Sequence, residues 1–393
     1  MRVAELSAYL VRLELRKEIK HASHARRESE NLVVRCTLAD GTQGFGEGVP
    51  RPYVTGETPE GAMSQLAATP LGEQLSGDCG SWDEVFALCD RFTPAPVHED
   101  PRGCHGNALR AAVEISILDA YARLFGQPLS AVTANVAAAA PVQASLAKVR
   151  YSGAITAESP RKEILSAIKM RAFGFAHCKV KVGMPQRDDA PRLRRIRRFL
   201  GPRMDVRLDA NEAWRVDEVV RRVEPLLPYG VSCLEQPVAH EEVEGLADIR
   251  KRLNVPIMLD ESLTSPVDAE SAIRGGTCDL FNIRLSKCGG FLASLRLASM
   301  ARAAGLGYQL GCHPGESAIL SAAGRHWATS VADIRYLEGS YDRFLLRTRL
   351  SREDITFGYG GQAPALTRPG LGITIIEDAL LKLTTRQATY RLN

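Results

Sequence analysis

From about Arg150 onward the chain repeats one unit: a short apolar or β-branched run ending in a charged residue, then an amphipathic helical stretch. The runs are HCKVKVG, MDVRLDAN, VSCLEQPV, PIMLDES, LFNIRLSKCGG, YQLGCH and DIRYLEG, and successive ones begin about 24 to 28 residues apart. A strand, a crossover helix and two short loops need that length, and parallel strands need such a crossover. Seven units in a row, with RYSGAIT available as a first strand, exceed one Rossmann half. They predict an α/β fold built on a closed parallel barrel, a modified (β/α)7β TIM barrel. An open doubly wound sheet fits the same rhythm and stands as the alternative.

The preceding region follows another rule. VRLEL and NLVVRCTLADGTQGFGEGV read as strands joined by a DGT turn. NALRAAVEISILDAYARLFG has apolar positions at helical spacing and ends at Gly126. Strands first and helices after predict an α+β domain over residues 1–135, capping a barrel domain over 136–339. The segment 340–393, with TFGYGGQAPALTRPGLGITI rich in Gly and Pro, has no place in the rhythm and is expected to pack back on the capping domain. No long Ser/Gly linker separates the parts, so firm packing between them is expected.

Composition narrows the class. A chain of 393 residues can bury its own core without a metal or disulfide staple. Lys and Arg number 50 against 46 Asp and Glu, and without a basic stripe this +4 balance argues against nucleic acid as a partner. No apolar run reaches the roughly 18 residues of a membrane span. The nine cysteines are scattered, odd in number and without a CxxC pair, and the N-terminus lacks a signal-peptide core. A cytoplasmic location is expected, with no membrane partner.

Parallel barrels carry their active sites at the carboxyl ends of the strands. Lys179 and Lys181 lie two residues apart, on one face of a strand. Asp209 with Asn211, Glu235, Asp260 with Glu261, and Lys287 end the next runs, the four charged residues being 26, 25 and 27 residues apart. Any one strand-end carboxylate reads equally well as a helix cap; a set in register does not. Three converging carboxylates repel unless one takes up a proton or a cation joins them. All-oxygen ligands point to Mg²⁺, with Mn²⁺ as a possible substitute. A lysine of ordinary pKa is a poor base, but cationic neighbours lower it. Lysines on strands two and six, either side of such an ion, suit removal of a proton beside a carboxylate through a metal-stabilised enediolate. The expected partner is a small-molecule carboxylate. A lysine Schiff-base aldolase would need only one lysine and no carboxylate triad.

KVKVG, LDAN, LEQPV, LDES and NIRLSKCGG resemble the barrel motifs of the enolase superfamily, muconate lactonizing enzyme subgroup. GEGVPRPYVTGET resembles the subgroup's capping loop, which would bring Tyr53 and Thr55 to the substrate. The resemblance implies Lys181 as base on one face, Lys287 as acid or base on the other, and Lys179 tuning Lys181. It implies Asp209, Glu235 and Asp260 as Mg²⁺ ligands with Asn211 and Glu261 adjacent. The implied outcome is cycloisomerisation or racemisation/epimerisation, with syn-dehydration or a barrel that has lost catalysis as alternatives. Such barrels are often homo-oligomers, which is expected here by analogy.

The chain departs from the pattern in places. Arg284 stands where the subgroup often has lysine. GCHPGES holds an extra residue, leaving His313 at the strand end and Glu316 out of its usual place. In the mandelate racemase branch a histidine there is a second base; here Lys287 takes the strand-six role, so His313 reads as a substrate contact or a structural residue. LEGSYDRFLL places Ser340 and Asp342 where dipeptide epimerases have Asp-x-Asp, which weakens recognition of a dipeptide ammonium. KEIKHASHARRE, with Lys17, Lys20, His21, His24, Arg26 and Arg27, reads as a solvated loop that would favour an anionic substrate if it folds over the barrel mouth.

Overall fold

The computed structural model describes residues 1–20, 25–96, 99–156 and 159–392. Strands β1 (Val3–Lys20), β2 (Ala25–Leu38) and β3 (Gln43–Gly48) run antiparallel. From Val11 to Arg16 buried apolar and exposed charged residues alternate, the period that fixes one face toward a core. The covering helix, Asn107–Leu124, is buried nearly all round. It comes that close because β3 alternates glycines: a Cβ at Gly44, Gly46 or Gly48 would lie 2.1, 2.0 or 1.9 Å from backbone atoms of Ala120, Ala112 and Ala108.

The KEIKHASHARRE segment is largely strand, not loop. β1 and β2 extend as a two-stranded ribbon that still pairs Ile19 with Arg26. His21 and His24 lie outside the described residues.

Beyond the short strand β4 (Lys148–Arg150), seven parallel strands follow in sequence order. They are β5 (Gly153–Ile155), β6 (His177–Lys181), β7 (Asp205–Asp209), β8 (Val231–Glu235), β9 (Ile257–Leu259), β10 (Leu280–Ile283) and β11 (Gly307–Leu310). Residues 335–338 supply the eighth stave and close the barrel. Glu338 N donates to Leu310 O (2.9 Å) on one side, and Ser152 N donates to Leu337 O (2.8 Å) on the other. The outer layer is less regular than the sequence predicts: VDEVVRRVEPLL breaks into short helical turns, the last of them carrying Pro225, which cannot donate to a helix ladder.

The C-terminal segment divides. β12 (Gln362–Pro364) pairs with β4 beside the barrel, while β13 (Thr384–Arg391) pairs antiparallel with β1 and completes the N-terminal sheet in the order β13-β1-β2-β3.

Carboxylates from the N-terminal region cap barrel helices. Glu47 accepts from Ser317 N (2.9 Å) and Leu320 N (3.0 Å) at the start of Ala318–Ser330. Glu114 Oε1 accepts from Phe291 N (2.5 Å) and Leu292 N (3.1 Å) at the start of Phe291–Ala303. Negative charge at a helix N-terminus meets free N–H groups and the positive dipole end. The second glycine of KCGG makes room for it: a Cβ on Gly290 would lie 2.4 Å from Glu114 Oε1. Among the described residues no helix is long and apolar enough to cross a membrane, and no disulfide forms.

Candidate active site

Strand ends bring the charged residues of the repeat to one end of the barrel. Lys179, Asp209, Glu235, Asp260 and Lys287 are all buried, at 8%, 1%, 0%, 0% and 1% exposure. Charges kept this far from water must be paired.

Lys179 Nζ lies 3.2 Å from Glu235 Oε1, 3.3 Å from Asp209 Oδ2 and 2.9 Å from Glu338 Oε1. Burial pulls its ammonium down, but Glu235, Glu338 and Asp209 outweigh it and hold Lys179 above the ordinary lysine range. Its ammonium is committed to these three carboxylates. Burial would likewise push Asp209 up, yet Lys179, Lys181 and Arg284 hold it below the usual carboxylate range. For Glu235 burial wins and the carboxyl is pushed up to about 6. Asp260 pairs with the Arg284 guanidinium and, through Oδ1, with Lys287 Nζ at 2.9 Å.

The two outer lysines stand apart. Lys181 ends the barrel's second strand and donates to Asn211 Oδ1 at 2.7 Å; Asn211 Nδ2 in turn donates to Glu261 Oε1 at 3.1 Å. Lys287 is not on its strand, which ends at Ile283, but in the turn after the sixth strand. Its ammonium donates to Asp260 O (2.5 Å) and Asn282 O (2.8 Å) besides Asp260 Oδ1. Burial, helped by Arg284, pulls Lys287 down to about 7. In a closed barrel of eight staves the second and sixth face each other across the axis.

Three participants escape the sequence reading. Glu338 closes the strand run of DIRYLEG, and the same strand-end rule carried on to that last run finds it. Arg207, two residues before Asp209 and so on the same strand face, pairs with Glu338 and lies 3.5 Å from Glu235 Oε2. Asn282 Nδ2 donates to Glu235 Oε1 at 2.9 Å.

The other expected residues have the following surroundings. Thr55 commits its hydroxyl to Glu57 (2.6 Å). Ser340 Oγ accepts from Arg325 Nη2 (3.0 Å), and Asp342 accepts from Ser321 Oγ (2.9 Å), so both are tied into the barrel wall. Tyr53 bonds to Arg26, whose Nη2 also donates to Pro314 O at 2.6 Å. His313 and Glu316 form a tight turn in which His313 N donates to Glu316 Oε1 at 2.5 Å. Arg27 pairs with Glu18 on the surface and Lys17 is exposed. A cleft of about 370 Å³ opens beside the cluster, lined by Tyr53, Thr55, Arg102, Glu212, His240 and Glu261 among others.

Among the described residues no three His, Cys, Asp or Glu side chains are gathered around a single point as a metal would require. The donor chemistry nonetheless fits a hard cation: three carboxylates from adjacent staves, with Glu235 Oε2 buried and lacking a hydrogen bond. Lys179 sits against Asp209 and Glu235, and Arg284 against Asp260.

Residues 163–379 match the family described as Enolase C-terminal domain-like. The L-Lys-D/L-Arg epimerase of Methylococcus capsulatus is 30% identical over 381 residues, covering 95% of this chain and 99% of the epimerase. The crystal structure of the N-succinyl Arg/Lys racemase from Bacillus cereus superposes with a TM-score of 0.86 at 26% identity, covering all of both chains. A dipeptide epimerase from Cytophaga hutchinsonii, solved with Mg and D-Ala-L-Val, gives 0.82 at 25% identity over 99% of this chain and all of the other. The chain therefore belongs to the enolase superfamily, in the company of its muconate lactonizing members, and is one of the superfamily's isomerases.

Proposed function

We propose that this chain racemises or epimerises the α-carbon of an N-acylated amino acid, with Mg²⁺ as cofactor. One observation carries the reading: amine groups from staves two and six flank a buried carboxylate cluster. Lys181, held by Asn211, removes the α-proton from one face. Lys287 delivers a proton to the other, and the roles reverse for the opposite enantiomer. Asp209, Glu235 and Asp260 would hold Mg²⁺, which supplies positive charge against the negative charge that builds on the substrate carboxylate. Mn²⁺ is expected to substitute.

An N-acyl group is preferred over a dipeptide's free ammonium because Ser340 and Asp342 spend their side chains on Arg325 and Ser321. The Bacillus cereus relative, named for N-succinyl substrates, points the same way.

The test is incubation of the Mg²⁺-loaded protein in D₂O with N-acyl amino acids, dipeptides and muconates. Deuterium at the α-carbon and decay of optical rotation with the N-acyl compounds are expected. Lactonisation of a muconate without any α-exchange would overturn the reading. Activity that survives exhaustive chelation would remove the metal from it.

A further inference from the structure

The amine on the barrel's second stave is held from behind. Strand pairing secures Lys181 on one side only: it lies opposite Asp209 on β7, and Val182 N donates to Asp209 O at 2.9 Å. On the other side β5 is too short. Its pairing with β6 stops at Ile155 opposite Val180, one residue before Lys181. A carbonyl left over where a ladder stops needs a donor from elsewhere. Here a side chain supplies it: Arg192 Nη1 donates to Lys181 O.

Arg192 reaches that carbonyl from the outer layer. It sits near the start of the helix Asp189–Leu200, is 3% exposed, and shares the helix's buried side with Leu193, Ile196 and Leu200. Its Nε donates to Glu163 Oε1 (2.5 Å) on the neighbouring helix Pro160–Ala172, and its Nη1 also meets Asp189 Oδ1 (3.2 Å). An apolar side chain would fill the same face without the desolvation cost of a buried ion pair, so packing alone does not ask for these charges. Asp189 continues the clamp, since its Oδ2 accepts from Gly183 N at 2.7 Å. Gly183 has a φ of 76°, and a Cβ there would lie 2.5 Å from Ala213 Cβ and 3.1 Å from Trp214 Nε1, on the loop just beyond Asn211. The backbone that carries Lys181 is thus packed against the loop whose Asn211 tethers its amine.

We propose that Arg192 is a positioning residue for proton transfer at Lys181. It acts through the Lys181 carbonyl, with Glu163 and Asp189 aiming its guanidinium. The inference rests on the proton-transfer reading above and assigns a dedicated support to one of its two amines. Without the clamp the backbone under Lys181 shifts, and a misplacement of about 1 Å at a reacting group costs about 10²-fold in rate. Lys287 stands on the turn after β10, against Asp260 and Asn282, and is spared.

The experiment follows α-deuterium exchange from each pure enantiomer of the N-acyl amino acid that exchanges fastest in the panel above. Arg192→Met should slow kcat at least about tenfold for the enantiomer that Lys181→Ala silences, and leave the other within about threefold. Arg192→Lys, which keeps the charge and a donor, should recover part of the loss. An equal fall for both enantiomers, or no fall, overturns the assignment. Asp189→Ala, which releases Gly183 N and one partner of Arg192, reads the same split should Arg192→Met not fold. If no N-acyl amino acid exchanges, the functional reading fails, and carbamoylation by cyanate, mapped by mass spectrometry, decides the positioning alone. With exposed Lys17 as the internal reference, Lys181 should then react at least about threefold faster in Arg192→Met than in wild type. An unchanged rate overturns the proposal, and so does equal acceleration at Lys181 and Lys287, which is general loosening.

Discussion

The lysines on either side of the carboxylates are held by different parts of the molecule. Lys181 belongs to the barrel alone: it is half-buried on a strand end, tethered by Asn211, and its carbonyl accepts from Arg192. Lys287 is shared. The turn that carries it is gripped from the N-terminal region at three points: Val49 N donates to Ser286 Oγ (2.7 Å), Asn107 Nδ2 to Lys287 O (2.8 Å), and Phe291 N to Glu114. One amine is placed by a strand; the other is held by an interface between two parts of the chain. Damage to that interface should therefore harm proton transfer at one face more than at the other.

The largest test of this contrast removes the amines. Lys181→Ala and Lys287→Ala should each lose about 10²- to 10⁴-fold of α-deuterium exchange from one enantiomer, and not the same one, since each serves one face. Exchange into pure enantiomers, followed separately, measures it. If both variants silence the same enantiomer, the opposed arrangement is wrong.

Next in size is Asn107→Ala. Asn107 lies on the N-terminal helix and touches no substrate, yet its amide serves the carbonyls of both Thr264 and Lys287, each at 2.8 Å. Leaving buried carbonyls unsatisfied costs about 1–3 kcal/mol each. Denaturant unfolding should register that loss. Exchange from the enantiomer served by Lys287 should fall about tenfold, while the Lys181 side stays within about twofold. An equal fall on both sides would mean that the interface supports the whole barrel and not one lysine.

Much of this site was legible because its information is periodic. Lys179, Lys181, Asp209, Glu235 and Asp260 each end a run of one βα unit, and strand pairing in register then sets them side by side, as Lys181 with Asp209 and Asp209 with Glu235. What was not legible is what crosses between periods. Asn107 and Glu114 read as polar interruptions of a helical pattern, since nothing local says they face a barrel turn 180 and 177 residues away. The β1–β2 ribbon reads as a loop because KEIKHASHARRE carries no hydrophobic alternation. β13 hid for the same reason: its residues are mostly exposed and its pairing partner lies at the other end of the chain. His313 shows in the sequence as an anomaly of spacing, but nothing there tells that its ring is buried with neither nitrogen hydrogen-bonded.

The smallest expected effect concerns Glu114, where two forces on one carboxyl compete. Burial disfavours its charge, while the N–H groups of Phe291 and Leu292 favour it; burial wins, and the carboxyl is pushed up to about 7. A carboxyl raised in the folded state stabilises the fold below its unfolded value of about 4.5, and that stability is lost as pH climbs through about 7. Glutamine keeps the acceptor and does not titrate. The stability of wild type relative to Glu114→Gln should therefore fall between pH 5 and pH 8, read from denaturation midpoints at both. Were the helix N-terminus the stronger force, Glu114 would already be ionised in fold and unfolded chain alike at pH 5, and the difference would stay level up to pH 8. Since the same carboxylate grips the turn that holds Lys287, a fall would also mean that the interface behind this lysine loosens as the solution becomes basic.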